Sequence, residues 1–186
     1  SATFFQRYHT DLIDYVPTPY NDMPRKVNLS PTGTYALAKN ISKVTTTGAE
    51  AEIQYSKQLE NSQHVWTTIG FTWLNSKSSS ATPSFYISSH AKFLNTFSIL
   101  YSSNRLSAGI DGLYKKRMAQ TSSVNIAKVS SDYFVLNAKL EAFIFKKLLS
   151  AFVEADNIFD KNYADLLGAQ MPGRWLMGGI KISLSK

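Results

Sequence analysis

Apolar and polar residues alternate with a period of two along most of this sequence, and this alternation is the feature that most limits its fold. In the segment 136–144, apolar residues occupy every second position and Asn137, Lys139 and Glu141 lie between them. Because successive side chains of a β-strand point to opposite faces of a sheet, the pattern predicts strands with one apolar and one polar face. The segments that show it are 2–15, 49–56, 65–73, 85–101, 105–113, 136–144, 153–156 and 176–184.

The connections between these segments alternate between long and short. The long ones are 16–43, 75–84, 118–132 and 158–173, and the short ones are 60–63, 102–104 and 146–148. If every strand pairs with its sequence neighbour, all long loops lie at one edge and all tight turns at the other, as in outer-membrane barrels. The sequence therefore predicts an all-β fold, an antiparallel up-and-down meander of about eight strands that is part of, or closes as, an outer-membrane-type β-barrel.

The polar faces do not distinguish a membrane barrel from a soluble sandwich. The apolar face is the inner one in a sandwich and the outer one in a membrane barrel. Both architectures can present the charged residues of the predicted polar faces, which are Glu50, Glu52, Lys139, Glu141, Glu154 and Asp156.

The composition of the 186 residues excludes several classes of function. There is no Cys, which excludes disulfide frameworks, thiol catalysis and Cys-ligated metal sites. The formal net charge is +7, but the basic residues are scattered in small clusters, such as 115–117, beside predicted turns. We therefore predict a rim that faces solvent or lipid headgroups, and no nucleic-acid surface.

No residue pattern indicates catalysis, a cofactor or a metal site. His9, His64 and His90 are far apart and lack the spacing of metal ligands. The acidic stretch 156–165 lacks the third and fifth ligand positions and the central Gly of an EF-hand loop. The carboxylates of the predicted strands could be imagined as a catalytic pair, but on barrel strands they would face a wet interior. We predict a protein that is not an enzyme and has no cofactor.

The last part of the chain resembles the C-terminus of TonB-dependent outer-membrane receptors. The run 154–163 (EADNIFDKNY) is similar to the family's N-L-F-D/N-x-x-Y motif at the end of the penultimate strand, and 171–175 (MPGRW) is similar to its P-G-R-aromatic entry to the last strand. Two earlier stretches, 44–52 and 132–139, resemble the family's G-x-E-x-E and Y-x-x-L-N strand motifs. The ordered set covers most of the chain and is more specific than any one motif.

This resemblance implies that residues 1–186 are a C-terminal β-barrel segment, and that the plug domain, the TonB box and the earlier strands lie outside it. It also implies structural roles for the motif residues, which are Asn157, Phe159, Tyr163, Pro172, Gly173 and Arg174. Asn157 suits a turn, and Pro172 with Gly173 suits a reversal into the closing strand. One departure is that the family usually ends in an aromatic residue, whereas this chain ends 182–186 (ISLSK), so that Leu184 would take that place.

The resemblance further implies a receptor in the outer membrane of a Gram-negative bacterium. Its expected partners are outer-membrane lipid, the TonB complex through the absent plug and TonB box, and a scarce small-molecule ligand such as a siderophore, haem, cobalamin or an oligosaccharide. Ligand contacts are expected in the long loops, where Tyr20, Tyr35 and Tyr163 are candidates. The alternative is a self-contained eight-stranded binding barrel, either a small outer-membrane protein or a lipocalin-like carrier.

Overall fold

The computed structural model describes residues 1–40, 43–79, 91–117, 120–121, 128–145, 148–166 and 169–183. His90 and Leu184 lie outside the described residues, as does part of each of the long connections 16–43, 75–84, 118–132 and 158–173. Among the described residues, no helix is long and apolar enough to cross a membrane.

Nearly all regular structure in the described residues is β-strand. The strands are β1 (Ala2–Thr10), β2 (Ile13–Pro19), β3 (Thr34–Asn40), β4 (Lys43–Gln58), β5 (His64–Ser78), β6 (Phe93–Ser102), β7 (Leu106–Lys116), β8 (Gln120–Thr121), β9 (Lys128–Val129), β10 (Asp132–Phe145), β11 (Leu149–Asp156), β12 (Ala164–Leu166), β13 (Ala169–Gln170) and β14 (Trp175–Ile182). A 3-10 turn, Tyr20–Asp22, follows β2.

Eight of these strands form one antiparallel sheet in the order β1-β4-β5-β6-β7-β10-β11-β14. Each strand of this sheet pairs with the strand of the same sheet that follows it in sequence. The remaining strands form the two-stranded sheets β2–β3, β8–β9 and β12–β13 within the loops. The predicted all-β meander of about eight strands is confirmed. The predicted strand 2–15 is wrong in extent, because the chain turns at Asp11, whose φ of 55° ends β1.

The sheet is open. Its order runs from β1 to β14, and no pairing joins these two edge strands in the part of the chain that the structure describes. The eight strands thus form an open sheet, as part of a barrel wall would. They do not close as a small barrel in the described structure.

The ends of neighbouring strands are staggered along the sheet. Trp73 pairs with Phe93 at the start of β6, whereas β5 continues to Ser78. Likewise Asp156 ends β11, whereas β10 extends beyond that level to Asp132. Such a progressive shift is the stagger that tilted strands require when a sheet curves into a barrel.

The register separates an apolar face of the sheet from a polar face. Directly paired residues share a face, and one row across five strands is Ile53, Ile69, Phe97, Gly112 and Leu136. The next row, on the opposite face, is Gln54, Thr68, Ser98, Asp111 and Asn137. The apolar face is uncovered, since Ile53 is 66% and Ile69 50% exposed.

Charged residues of the polar face are paired or exposed. Lys139 Nζ lies 2.6 Å from Glu154 Oε2, and Lys181 Nζ lies 3.7 Å from Glu141 Oε1. Glu50 and Glu52 are exposed. Glu50 and Glu52 thus lie on a hydrated surface, whereas the Glu141 side chain is 14% exposed and is bound by Lys181 and the Ser150 hydroxyl.

A small apolar core lies where the β2–β3 hairpin meets the sheet. Val16 of β2 and Val44 of β4 are buried against each other, and Leu12 packs beside them. Val44 shares its face with Glu50, which is the polar face, because alternate residues of a strand point the same way. The hairpin is therefore anchored over the polar side of the sheet.

Candidate functional site at the loop-bearing end

The loops and the tight turns occupy opposite ends of the sheet. At the turn end, Leu59 N–H donates to Gln63 O at 2.8 Å, and Asn61 and Ser62 both have positive φ, the geometry that joins antiparallel strands tightly. At the other end, the chain leaves the sheet for the segments 11–42, 79–92, 117–131 and 157–174. Any site formed by the long loops would therefore lie at this loop-bearing end.

Asn157 holds the start of the last loop together. It is 4% exposed and has a φ of 49°. Its backbone N–H donates to Asn137 Oδ1 at 2.9 Å, and its Oδ1 accepts from the Lys161 N–H at 2.8 Å. Its Nδ2 donates to Lys161 O at 2.9 Å and to Pro172 O at 3.2 Å. Asn tolerates the left-handed conformation and supplies both a donor and an acceptor, which explains this residue type here.

The two ends of the same loop meet through Asp160. Its Oδ1 accepts from the backbone N–H of Arg174 at 2.8 Å, and a Cβ at Gly173 would lie 2.7 Å from that oxygen. A side chain at position 173 would therefore displace the Asp160 carboxylate that binds the Arg174 N–H. Phe159 is 61% exposed, with its ring centroid 6.1 Å from that of Phe134 on the apolar face. The structure thus brings Asn157 to Pro172 and Asp160 to Gly173 and Arg174 at the entry to β14.

A second cluster joins this loop to the loop 117–131. Arg117, 5% exposed, lies with Nη1 3.2 Å from Asp165 Oδ1, and donates from Nη2 to Ala164 O and from Nε to Ser130 O, each at 3.1 Å. Ser130 N–H donates to Ala164 O at 3.0 Å, and Ala164 N–H to Ser130 Oγ at 3.1 Å. The Arg117 guanidinium therefore links the two loops by donating hydrogen bonds to backbone carbonyls of both.

Asp165 is the common acceptor of this cluster. Its Oδ1 also accepts from Lys115 Nζ at 2.9 Å and from Tyr133 Oη at 2.7 Å. Partial burial opposes ionisation of Asp165, but the hydrogen bonds from Tyr133 and Lys115 and the positive charges of Lys115 and Arg117 outweigh it and lower its pKa. Asp165 is thus ionised at neutral pH and holds the two cations.

Tyr163 stacks on Tyr133 beside this cluster, with ring centroids 4.4 Å apart. Partial burial, and then the Asp165 carboxylate, raise the pKa of Tyr163. Its phenol therefore stays neutral at neutral pH. Because Tyr133 lies on β10, the stacking holds the Tyr163 ring of the loop against the sheet.

Tyr20 follows the end of β2, and Tyr35 lies on β3 near the tip of the same hairpin. Tyr35 Oη donates to Ser30 O at 3.0 Å and Tyr20 N–H donates to Gly33 O at 3.0 Å. Lys26 Nζ lies 5.2 Å from the centroid of the Tyr20 ring. Both tyrosines are half-buried anchors of their own loop, and the described contacts do not bring them to Tyr163.

Sequence reasoning missed the Arg117–Asp165 cluster. The run 115–117 was visible only as a basic cluster beside a turn, and Asp165 belongs to a loop without periodicity. Pairing across loops leaves no signal in one sequence. Within the described ranges, no group of three or more His, Cys, Asp or Glu side chains could hold a metal ion.

Comparisons with known proteins bear on the fold. No protein-family model matches the chain, and no curated protein matches it in sequence. Among solved structures, it is similar to the ferripyoverdine receptor of the Pseudomonas aeruginosa outer membrane bound to ferripyoverdine, with 19% identity, a TM-score of 0.67 and 96% of this chain covered.

Two further structures give the same result. P. aeruginosa FpvA bound to heterologous pyoverdines has 21% identity, a TM-score of 0.66 and 96% of this chain covered. The FpvAI–pyocin S2 complex has 19% identity, a TM-score of 0.68 and the same coverage of this chain. The chain spans 24%, 23% and 24% of the ferripyoverdine receptor, the pyocin complex and the heterologous-pyoverdine complex, respectively.

At these identities the likeness establishes the fold. The chain has the fold of part of an outer-membrane receptor barrel, and the resemblance that its strand motifs indicated is confirmed at that level.

Proposed function

We propose that this chain is a segment of a TonB-dependent receptor in the outer membrane of a Gram-negative bacterium, where it contributes barrel wall and extracellular loops. The observation that carries the proposal is the match of 96% of the chain to the ferripyoverdine receptor. The uncovered apolar face supports it, because side chains such as Ile53, Ile69 and Ile180, which is 72% exposed, suit contact with lipid.

The polar face supports the same proposal. Ion pairs such as Lys139–Glu154 and exposed carboxylates such as Glu50 suit the hydrated interior of a large barrel. In a soluble carrier of the lipocalin type, the ligand would meet the apolar face inside a closed barrel. The open sheet gives no support to that alternative.

The ligand class that we propose is a ferric siderophore. The support is that two of the similar structures are named as bound to pyoverdines. The ligand would first meet the loop-bearing end, where the loop 157–174 and the hairpin with Tyr20 and Tyr35 are held in place by their own contacts. We propose that Tyr20, Tyr35 and Tyr163 act there through the loops that they position. Energy for uptake would come from the TonB complex through a plug outside these residues.

The test is uptake by cells that lack the gene for the receptor containing this chain. The probe is a set of siderophores loaded with ⁵⁵Fe, beginning with pyoverdine. Uptake of one siderophore should fall to background in the deletion strain and in a strain without TonB, and return with the plasmid-borne gene. If the native protein fractionates as a soluble product without detergent, the outer-membrane receptor is excluded.

A further inference from the structure

The β2–β3 hairpin is a two-stranded ribbon, and its register shows which backbone groups point away from it. Tyr20 N–H donates to Gly33 O at 3.0 Å, which continues the ladder beyond the strand ends. In an antiparallel ladder, pairs that exchange hydrogen bonds alternate with pairs whose N–H and C=O groups point outward. The outward positions are therefore Tyr15, Pro17 and Pro19 on β2 and Thr34, Ala36 and Ala38 on β3.

The outer edge of β2 is closed to a further strand. Pro17 and Pro19 have no N–H to donate. The N–H of Tyr15 already donates to Asp14 Oδ1 at 2.7 Å. Prolines on an edge strand are a common protection against pairing with another chain. The outward positions 15, 17 and 19 thus offer no N–H to a further strand.

The outer edge of β3 has no such protection. Ala36 and Ala38 keep their N–H groups, have small side chains and are exposed. In the part of the chain that the structure describes, β3 pairs with no strand other than β2. Outward N–H and C=O groups at alternate residues match the backbone of another extended chain. The chemistry of this edge therefore selects an extended peptide segment.

The surface beside this edge indicates which side chains such a segment would carry. Tyr15 pairs with Ala38 and so shares its face, and Ile13 lies two residues further along the same face. Both Ile13 and Tyr15 are exposed. Residues 11–42 contain three acidic and three basic residues, so that no net charge favours an acidic or a basic partner. A neutral segment with apolar side chains at alternate positions suits this surface.

The position of the hairpin indicates from which side the segment arrives. Val16 is buried against Val44 on the polar side of the sheet, so that the ribbon stands on the inner side of the barrel wall. A second copy in the same membrane would approach from the opposite, apolar side of that wall. The β3 edge is reached instead from the solvent beyond the loop-bearing end.

We propose that the outer edge of β3 binds an extended segment of an extracellular protein, which adds to the hairpin as a third strand. The outward N–H and C=O groups of Ala36 and Ala38 would hold its backbone, and the face with Ile13 and Tyr15 would contact its apolar side chains. This inference goes beyond the proposed function, and only the extracellular position of the partner rests on it.

The test uses the full-length receptor in neutral detergent, labelled with ¹⁵N-alanine. The probe is a soluble peptide of alternating valine and threonine with a lysine at each end. Its analogue, N-methylated at every valine and threonine, cannot donate their backbone hydrogen bonds and is the control. The amides of Ala36 and Ala38 should exchange freely in the receptor alone and become protected by the peptide, but not by its analogue. The amide of Ala138, within the sheet, should stay protected throughout.

The variant A36P removes one outward N–H. It should leave the pairing with β2 intact, because Pro17 and Pro19 already occupy equivalent positions on the other strand. Isothermal titration calorimetry should show at least about tenfold weaker binding of the peptide. The matched control is A36S, which keeps the N–H and should bind as the unmodified receptor does. Protection of Ala138 in A36P verifies that the sheet is folded.

Three results would overturn the proposal. Protection of Ala36 and Ala38 without peptide would show that the edge is already paired within the receptor. Equal binding by A36P, or of the N-methylated analogue, would show that the backbone of the edge does not hold the peptide. Binding to the purified receptor without labelling of intact cells by a fluorescent form of the peptide would exclude an extracellular partner. A failure of the proposed function would appear separately, in the uptake of ⁵⁵Fe-siderophore, which the exchange measurement does not involve.

Discussion

The Arg117 guanidinium lies 3.2 Å from the Asp165 carboxylate and ties together two loops that leave the sheet from different strands. The side chain of Arg117 is 2% exposed and that of Asp165 34%. Because Arg117 is the more buried of the two, leaving its charge unpaired would cost more free energy than leaving Asp165 unpaired. This contact fixes the loop that contains Tyr163 relative to the loop that follows β7.

Replacing Arg117 should loosen both loops without unfolding the sheet. R117Q removes the donors to Ser130 O and Ala164 O and leaves Asp165 with fewer partners. Amide hydrogen exchange at Ser130 and Ala164 should accelerate at least about tenfold, the effect of losing roughly 1.4 kcal/mol of local stability. Amides in the middle of β10 should exchange as before. K161Q is the control, and protection that survives R117Q would show that the guanidinium does not hold the loops.

The same cluster should respond to acid. Because the pKa of Asp165 is lowered on folding, its contribution to stability is fully present above the ordinary pKa of an aspartate and is lost as the pH falls through the lower folded value. A spin label at position 161 should therefore gain mobility only in strong acid. In D165N the label should be mobile throughout. A transition near neutral pH in the protein with Asp165 intact would contradict this assignment.

Replacement of Asn157 should destabilise the protein more than replacement of another asparagine with positive φ, such as Asn28. N157A loses the bonds to Lys161 and Pro172 and places alanine at a φ of 49°. We expect about 3 kcal/mol less unfolding free energy, measured by urea titration in detergent. N28A is the control, since Asn28 is exposed with a φ of 61°. If both variants lose the same amount, the side-chain bonds of Asn157 contribute nothing.

Two glycines of β7 should differ in their tolerance of alanine. A Cβ at Gly112 would overlap the Phe97 ring, whereas a Cβ at Gly109 would have its nearest neighbour, Leu100 Cδ1, at 3.6 Å. G112A should cost about 1–3 kcal/mol of stability because the Phe97 ring, which stacks on Phe134, would have to shift. G109A should be close to neutral. Thermal unfolding of the two variants gives the comparison, and equal midpoints would exclude the close packing of Phe97.

An arginine should reveal which face meets lipid. Ile110 is 40% exposed on the apolar face, and Ser98 lies on the polar face beside Asp111. If the apolar face meets lipid as proposed, I110R should cost about 2–4 kcal/mol in the bilayer, whereas S98R should be tolerated. The measurement is folding into lipid vesicles followed by gel mobility with and without heating. The reverse order of effects would place the polar face against lipid.

The sequence predicted the sheet because alternation is a local property of each strand. Once neighbouring strands pair, the alternation within each strand is enough to place Ile53 on the apolar face and Gln54 on the polar face. It did not predict the break at Asp11 or the β2–β3 hairpin, since the apolar spacing of 2–15 continues through a residue with positive φ. The direction that the chain takes after Asp11 depends on long-range packing, here the burial of Val16 against Val44.

The candidate site was predicted less completely than the sheet. Family resemblance singled out Asn157, and its hydrogen bonds give a physical reason for that residue. Arg117 and Asp165 could not be paired from the sequence, because the loops that hold them have no repeating spacing and meet only after the sheet has formed. The roles of Tyr20 and Tyr35 in ligand binding stay predictions.

The uncovered apolar face has a consequence for where the sheet can form. A sheet that leaves Phe4, Ile53 and Leu176 in contact with solvent gains little from the hydrophobic effect by forming in water. The eight strands should therefore be stable as a sheet only where an apolar medium covers this face, and not in water alone.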